Sequence, residues 1–462
     1  MNELLLDLRE GRELSFKSRI LLIIQLSLPS ILAQLSSVVM QYIDASMVGQ
    51  LGANDSASIG LVSSTTWFLG GINSALSVGF TVQIAQLIGA NKMKEARAVM
   101  KQGLLVVFCL SLLLMLFGMS ASFWMPQWLG GSADIVGNAS IYLRVYALFM
   151  PFSAIRYFAS GSLQSSGNMK VPSFLNIMMC FLDVVFNYIL IFPTRTVLGI
   201  PIIGFNLRVM GAALGTALSE LVCALCMFTY LVKKSEFLHL RKEEGFVWDS
   251  KHLQNAGKIG VPVAIESAIS SSAYIAFTKI VAPLGTIAIA ANSFSITAES
   301  LCYMPGYGIG VAATTIIGQS IGAKRDDLTK KLGYLVTFFG TGIMACSGIL
   351  MYIFAPFMIS LLTPDVQIQT LAIQILRIEA FAEALYGASI VCAGVFRGAG
   401  DTLVSTILNF VSMWCVRIPL AYVLSGHYGL QGVWFAMAFE LCFRGTIFLI
   451  RLFRNKWVKN WA

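Results

Sequence analysis

Charged residues are scarce in this sequence, and their scarcity excludes an ordinary soluble protein. Asp, Glu, Lys and Arg make up 12% of the 462 residues, whereas soluble domains carry about 25%. Hydrophobic residues reach 57%, and apolar blocks of about 20 residues, long enough to cross about 30 Å of hydrocarbon as a helix, recur along the chain. The sequence therefore predicts an all-α polytopic membrane protein, since a helix in lipid satisfies its own backbone hydrogen bonds.

Several functional motifs are also missing. No GxxxxGK[ST] loop is present, which argues against ATP-driven pumping, and no group of residues indicates catalysis, so we expect neither an enzyme nor an organic cofactor. The nine cysteines fall in predicted spans, and the Cys223–Cys226 pair lacks a second pair of metal ligands, so packing is the favoured interpretation. No cleavable signal peptide is recognisable before the first span.

The basic residues predict how the chain crosses the membrane. Lys and Arg cluster in both tails and in the loops after even-numbered spans, which predicts cytoplasmic termini in the cell's inner (plasma) membrane. The net charge of +9 is then a topological signal, and we expect no nucleic-acid partner. We predict twelve spans, near 20–48, 57–88, 103–126, 137–163, 172–193, 207–232, 259–283, 288–320, 333–360, 370–394, 402–424 and 430–450.

An internal repeat relates the two halves of the chain at a constant offset of 233 residues. Six spans per repeat leave both halves in the same orientation, which predicts two parallel-repeat six-helix lobes around a central cleft, as in transporters. The predicted parts are an N-lobe at 1–232, a cytoplasmic linker at 233–258 and a C-lobe at 259–462. Matching positions include Pro29 with Pro262, Gly89 with Gly322, Arg144 with Arg377, Gly161 with Gly394, and Asn176 with Asn409.

One polar stripe on the first span ends in an acid. Ser30, Gln34, Ser37, Gln41 and Asp44 fall within roughly 80° of arc on a helix. Because a charge at the bilayer centre costs at least ~2.5–3.5 kcal/mol, we expect this stripe to face protein or a water-filled cavity. An alternative is that Asp44 lies at the outer mouth and reaches interfacial water.

The fifth span carries Asp183 and Asn187, which share one face at i and i+4. Beside Asp44, these oxygen-bearing side chains could hold a proton or Na⁺, and we expect no other metal. An interhelical hydrogen-bonded clamp is the alternative interpretation. Arg156 in the fourth span is a candidate counter-charge, with Asp183 as its hypothetical partner.

Acids also occur inside the second half of the chain. Together with polar residues of both halves they predict a cleft for cationic, amphipathic substrates, because carboxylates and aromatic faces attract cations. Arg417, Glu440 and Arg444 fit structural ion pairs better than a transport role. The predicted cleft residues are Gln34, Gln41, Glu266, Ser270, Tyr274, Glu299 and Glu383.

The stretch YIDASMVGQLG, the GQSIGA loop and the RGAGDT stretch, at this repeat spacing, resemble the multidrug and toxic compound extrusion (MATE) family, bacterial type. The resemblance covers nearly the whole chain. It implies an antiporter driven by H⁺ or Na⁺ that expels organic cations, with two lobes forming a V and the first-span acid, Asp44, as the ion site. We expect the protein to be a monomer.

Three sites depart from the pattern that the resemblance implies. Asp183 and Asn187 stand in the reverse order to many members, Ser270 stands where several relatives have Glu, and Tyr386 lies where some have an acid. Two rival functions stay open at this point. A flippase for lipid-linked oligosaccharide would need a basic cleft, and a non-transporting scaffold or receptor would not need acids in both halves.

Overall fold

The computed structural model describes residues 3–197, 200–241 and 243–458. In this part of the chain nearly every residue lies in a helix, as the apolar composition predicts. The helices are α1 Glu3–Arg9, α2 Phe16–Gly49, α3 Ala53–Gly89, α4 Met93–Trp128, α5 Ala133–Ser165, α6 Lys170–Ile191, α7 Arg208–Lys233, α8 Ser250–Val281, α9 Thr286–Gly322, α10 Asp326–Ser360, α11 Val366–Ala380, α12 Glu383–Gly398, α13 Thr402–Phe410 and α14 Ile418–Phe453.

These helices supply twelve membrane spans, and the predicted all-α polytopic fold is confirmed. Nine of the long apolar helices are one span each, and α11 with α12 forms a tenth, bent by 58° at its break. The remaining run, Thr402–Phe453, is too long for one crossing at 52 residues. It is interrupted at Gly429, whose φ of 58° and ψ of −138° are not helical, so it contains the last two spans.

Two irregular features were not predicted. An antiparallel hairpin, β1 Pro193–Val197 with β2 Ile200–Phe205, connects α6 to α7. The π-helical segment Val411–Arg417 lies between α13 and α14 and carries Arg417, a residue of the ion pairs below. π turns occur often at functional or strained positions in helices. The periodicity of the sequence does not predict this one.

The chain forms two compact units, each with its own apolar core. The first unit comprises Met1–Leu35, Ala85–Asn91 and Ile265–Ala462, and the second comprises Ser36–Ile84 and Lys92–Ala264. In the first unit, buried residues such as Trp434 and Ile375 belong to one large cluster. In the second unit, Val62, Leu69 and Leu143 belong to another.

Glycine permits a backbone contact between two helices of the first unit. A Cβ atom on Gly394 of α12 would lie 2.8 Å from the Cα of Gly310 on α9, closer than real Cβ atoms come. Gly394 is one of the repeat-matched glycines. In lipid, small residues at such crossings allow the close packing that replaces the hydrophobic driving force.

We predict that Gly394→Ala destabilises the protein by about 1–3 kcal/mol, because helices packed at this distance must separate. The matched control is Gly342→Ala on α10, where an added Cβ meets nothing within 4 Å. The control should be neutral or slightly stabilising, since alanine favours helix. Loss of the monodisperse gel-filtration peak on heating in detergent measures both, and equal midpoints would contradict the prediction.

Candidate functional site

One amide connects two buried acids in the second unit. The Nδ2 of Asn187 donates to Oδ1 of Asp44 at 2.9 Å and to Oδ2 of Asp183 at 3.1 Å. Asp183 and Asn187 are almost fully buried, and Asp44 is half-buried. The structure therefore brings together the three residues that the sequence analysis grouped. The amide nitrogen of Asn187 donates one of its two protons to each of the two acids.

Three helices position this trio. Asp44 lies near the end of α2, Asp183 and Asn187 lie one turn apart on α6, and α7 packs against α6. From α7 the hydroxyl of Ser219 donates to Oδ1 of Asp183 at 3.4 Å. Gly215 of α7 faces the Oδ1 of Asn187, where a Cβ atom would overlap it. The amide oxygen consequently points to α7 and the amide nitrogen points to the acids.

The trio has an excess of negative charge. The carboxyl groups of Asp44 and Asp183 share the amide nitrogen of Asn187, which lies 2.9 Å from one and 3.1 Å from the other, so the two acids are close neighbours. Within the described ranges, neither forms an ion pair with Lys or Arg. Two carboxylates this close repel each other strongly in a medium of low dielectric. Burial and mutual repulsion therefore disfavour the state in which both acids are ionised.

The hypothetical pairing of Arg156 with Asp183 is wrong. Arg156 of α5 forms its ion pair with Glu220 of α7, at 3.1 Å between Nη2 and Oε1. Ser153 donates to the other oxygen of the same carboxylate, and Asn176 accepts from Arg156 at 3.4 Å. Because Glu220 already balances the guanidinium inside the membrane, Arg156 is not the counter-charge of the two aspartates.

The second half of the chain contains a separate group of acids in the first unit. Asn409 donates to Oε1 of Glu266 at 2.7 Å. Glu299 of α9 and Glu383 of α12 are buried, whereas Tyr274 of α8 is about half exposed. Among the described residues, the oxygens of Glu379 and Glu383 have no hydrogen-bond donor, although both side chains are fully buried.

For three of the predicted cleft residues, the observations are their helix and their exposure. Gln34 and Gln41 lie on α2, half-buried and exposed respectively, and Ser270 is half-buried on α8. The prediction that they line a substrate cleft stays a prediction.

The predicted ion pairs among Arg417, Glu440 and Arg444 are present in the structure. Glu440 is fully buried and accepts from Arg417, with Nη2 to Oε2 at 2.5 Å, and it pairs with Arg444 at 3.2 Å. Ser412 donates to the same carboxylate. This arrangement matches the other ion pair, since in both units a serine hydroxyl completes an Arg–Glu contact.

The sequence analysis missed Glu220 and Ser219, although one signal was present. Glu220 is an acid inside the predicted span 207–232, and any ionisable residue in a span is a functional candidate. Its helix face was hard to judge, because α7 is rich in small residues on several sides. Ser219 carried no signal, since serine is common in membrane helices.

Comparisons with known proteins agree on the family. A sequence model of the family MatE matches residues 29–189 and 262–423. The chain is 28% identical over 447 residues to a probable multidrug resistance protein NorM of Thermotoga maritima, covering 95% of this chain and 93% of the relative. It is 25% identical to the uncharacterised transporter YisQ of Bacillus subtilis, covering 90% of each chain.

Solved structures share the fold. The outward-facing conformation of a multidrug resistance MATE family transporter of the MOP superfamily has a TM-score of 0.87 at 20% identity, covering 94% of this chain and 96% of the other. The Vibrio cholerae MATE transporter VcmN in the bent form has a TM-score of 0.84 at 19% identity, covering 95% and 97%.

Twelve spans with buried, unbalanced carboxyl groups define a multi-pass membrane transporter. Within that class, the chain belongs to the MatE family, whose model matches both halves of the repeat.

The ion pair between Arg156 and Glu220 yields a stability prediction. Glu220→Leu leaves a buried guanidinium without its partner, so we expect a loss of about 3–5 kcal/mol of stability. The double variant Arg156→Met with Glu220→Leu removes both charges and should recover most of that loss. Thermal unfolding in detergent measures both variants, and a double variant as unstable as the single one would assign the loss to packing instead.

Proposed function

We propose that this protein is a secondary active antiporter that exports organic cations across the plasma membrane in exchange for H⁺ or Na⁺. The observation that carries the proposal is the pair of acids Asp44 and Asp183, joined by the amide of Asn187 and without an ion pair to Lys or Arg among the described residues. Such a pair changes its charge when an ion binds, and a buried change of charge can be coupled to a change of conformation.

The charge of the pair accounts for exchange. With both carboxyl groups ionised, the site attracts a cation, whether it is the coupling ion or a substrate. Binding of one H⁺ or Na⁺ removes one negative charge and weakens the attraction for a substrate cation. Export then follows if the coupling ion enters from outside and leaves to the cytoplasm, where the positive-inside pattern predicts both termini.

The geometry favours H⁺ over Na⁺ as the coupling ion. Na⁺ prefers oxygen ligands, yet Asn187 turns its nitrogen toward both acids and its oxygen toward Gly215. Two neighbouring carboxyl groups can instead hold a single proton, because the charge of one acid favours the protonated form of the other. The amide then serves to hold the acids together.

Organic cations are the proposed substrates for two reasons. The acids of the second half, Glu266, Glu299 and Glu383, with the nearby Tyr274, supply negative charge and an aromatic face. The relative from Thermotoga maritima is named a probable multidrug resistance protein, which supports export of drugs by this chain as well.

We expect Asp44→Asn to abolish export while the protein stays folded, because asparagine can still accept from Asn187 but cannot ionise. The measurement is gradient-driven export of ethidium from proteoliposomes, where the variant should match empty vesicles. Asp134→Asn, an exposed acid at the start of α5, is the matched control and should transport normally. Unaltered transport by the Asp44 variant would remove this acid from the mechanism.

Separate gradients identify the coupling ion. With a pH gradient imposed and no Na⁺ present, we expect full export, because the paired acids need only a proton. A Na⁺ gradient at equal pH on both sides should give none. Export that requires Na⁺ would contradict the preference for H⁺ and would leave the antiport proposal standing with the other ion.

A further inference from the structure

The connection between α7 and α8 is clamped at one end onto the start of α4. Glu244 accepts two hydrogen bonds from Arg97 in a bidentate ion pair, with Nη2 to Oε1 at 2.6 Å and Nε to Oε2 at 2.8 Å. The Nζ of Lys101 donates to the backbone oxygen of Glu244 at 2.5 Å. The hydrogen bond from Arg97 holds the pKa of Glu244 below its ordinary value, so the clamp persists at neutral pH.

A second clamp follows five residues later. The side chain of Gln102 donates to the backbone oxygen of Asp249 at 3.0 Å and accepts from its backbone nitrogen at 3.4 Å. One amide side chain therefore satisfies both backbone groups of one residue. The segment 244–249 is thus attached at both of its ends to two consecutive turns of one helix.

Between the clamps, three large apolar side chains point away from the protein. Phe246, Val247 and Trp248 are 53%, 60% and 52% exposed. The two aromatic rings lie 6.4 Å apart and contact each other. Adjacent exposed apolar residues of this size are unusual in a loop surrounded by water, because burial of each side chain would lower the free energy of the protein. The attachment at both ends prevents them from folding back onto the chain.

The position of the clamps along α4 gives the depth of these side chains. The apolar run of α4 begins at Gly103, directly after Gln102, and Leu105 and Phe108 on that helix are exposed as lipid-facing residues are. The segment therefore lies at the level where α4 enters the hydrocarbon. Exposed basic residues flank it, at Lys233, Lys234, Arg241 and Lys251, and outnumber the exposed acids Glu236 and Glu243.

We propose that Phe246, Val247 and Trp248 insert into the bilayer leaflet on the side of the termini, as an anchor that holds the α7–α8 connection against acidic phospholipids. Tryptophan favours the boundary between headgroups and acyl chains. Basic residues beside such an anchor gain from the negative surface of acidic lipid. The apolar tip continues the lipid-facing surface of α4, so the occupant is the protein's own membrane. The inference is independent of the ion coupling proposed above.

A solvatochromic fluorescent amino acid, introduced by amber suppression, tests the anchor in the full-length protein. Placed at Val247, in nanodiscs of phosphatidylglycerol and phosphatidylcholine, it should emit at short wavelength and be quenched by lipids brominated near the headgroup. The matched control is the same amino acid at Glu243, an exposed position of the same connection. We expect lipid quenching several-fold stronger at 247 than at 243.

Equal emission and equal quenching by aqueous iodide at the two positions would overturn the anchor. A probe at 247 that is water-exposed in nanodiscs and shifts only when soluble protein is added would also overturn it, in favour of a protein partner. Both probes report on the folded chain, since both replaced side chains are exposed; gel filtration of each labelled protein verifies this.

Discussion

The amide of Asn187 holds two acids together in an environment that penalises charge, and the organisation of the second unit follows from this constraint. Asp44 and Asp183 come from different helices, so their contact requires α2 and α6 to pack in one register. Glycine at position 215 makes room for the amide oxygen on the third helix, α7. The three helices are therefore packed around two acids and one amide.

The distribution of bases decides which acids remain available. Arg156 is neutralised by Glu220, and Arg417 with Arg444 is neutralised by Glu440. In each buried ion pair a serine hydroxyl also donates a hydrogen bond to the glutamate. This bond reduces the free-energy cost of removing the charges from water. Arg156, Arg417 and Arg444 are thereby neutralised by neighbouring glutamates. Among the described residues, no base forms an ion pair with the four other acids, which are Asp44, Asp183, Glu379 and Glu383.

The repeat and the helix periodicity predicted much of the site. Asp183 and Asn187 had to share a face because they are four residues apart, and the polar stripe on the first span directed Asp44 inward. The partner of Arg156 could not be predicted in the same way. Glu220 is distant in sequence, and helix periodicity limits which face a residue occupies without specifying the helix opposite that face. The 58° break between α11 and α12 was missed for a related reason, since no proline marks it.

Composition and periodicity by themselves determined that this chain is a helical membrane protein of twelve spans with an internal repeat, because hydrocarbon leaves few solutions for the backbone. They also determined which side chains were candidates, since every ionisable residue in a span requires compensation. Only the tertiary structure decided how those residues are compensated. Contacts between helices depend on packing, and packing assigned Arg156 to Glu220 and left Asp44 and Asp183 facing one amide nitrogen.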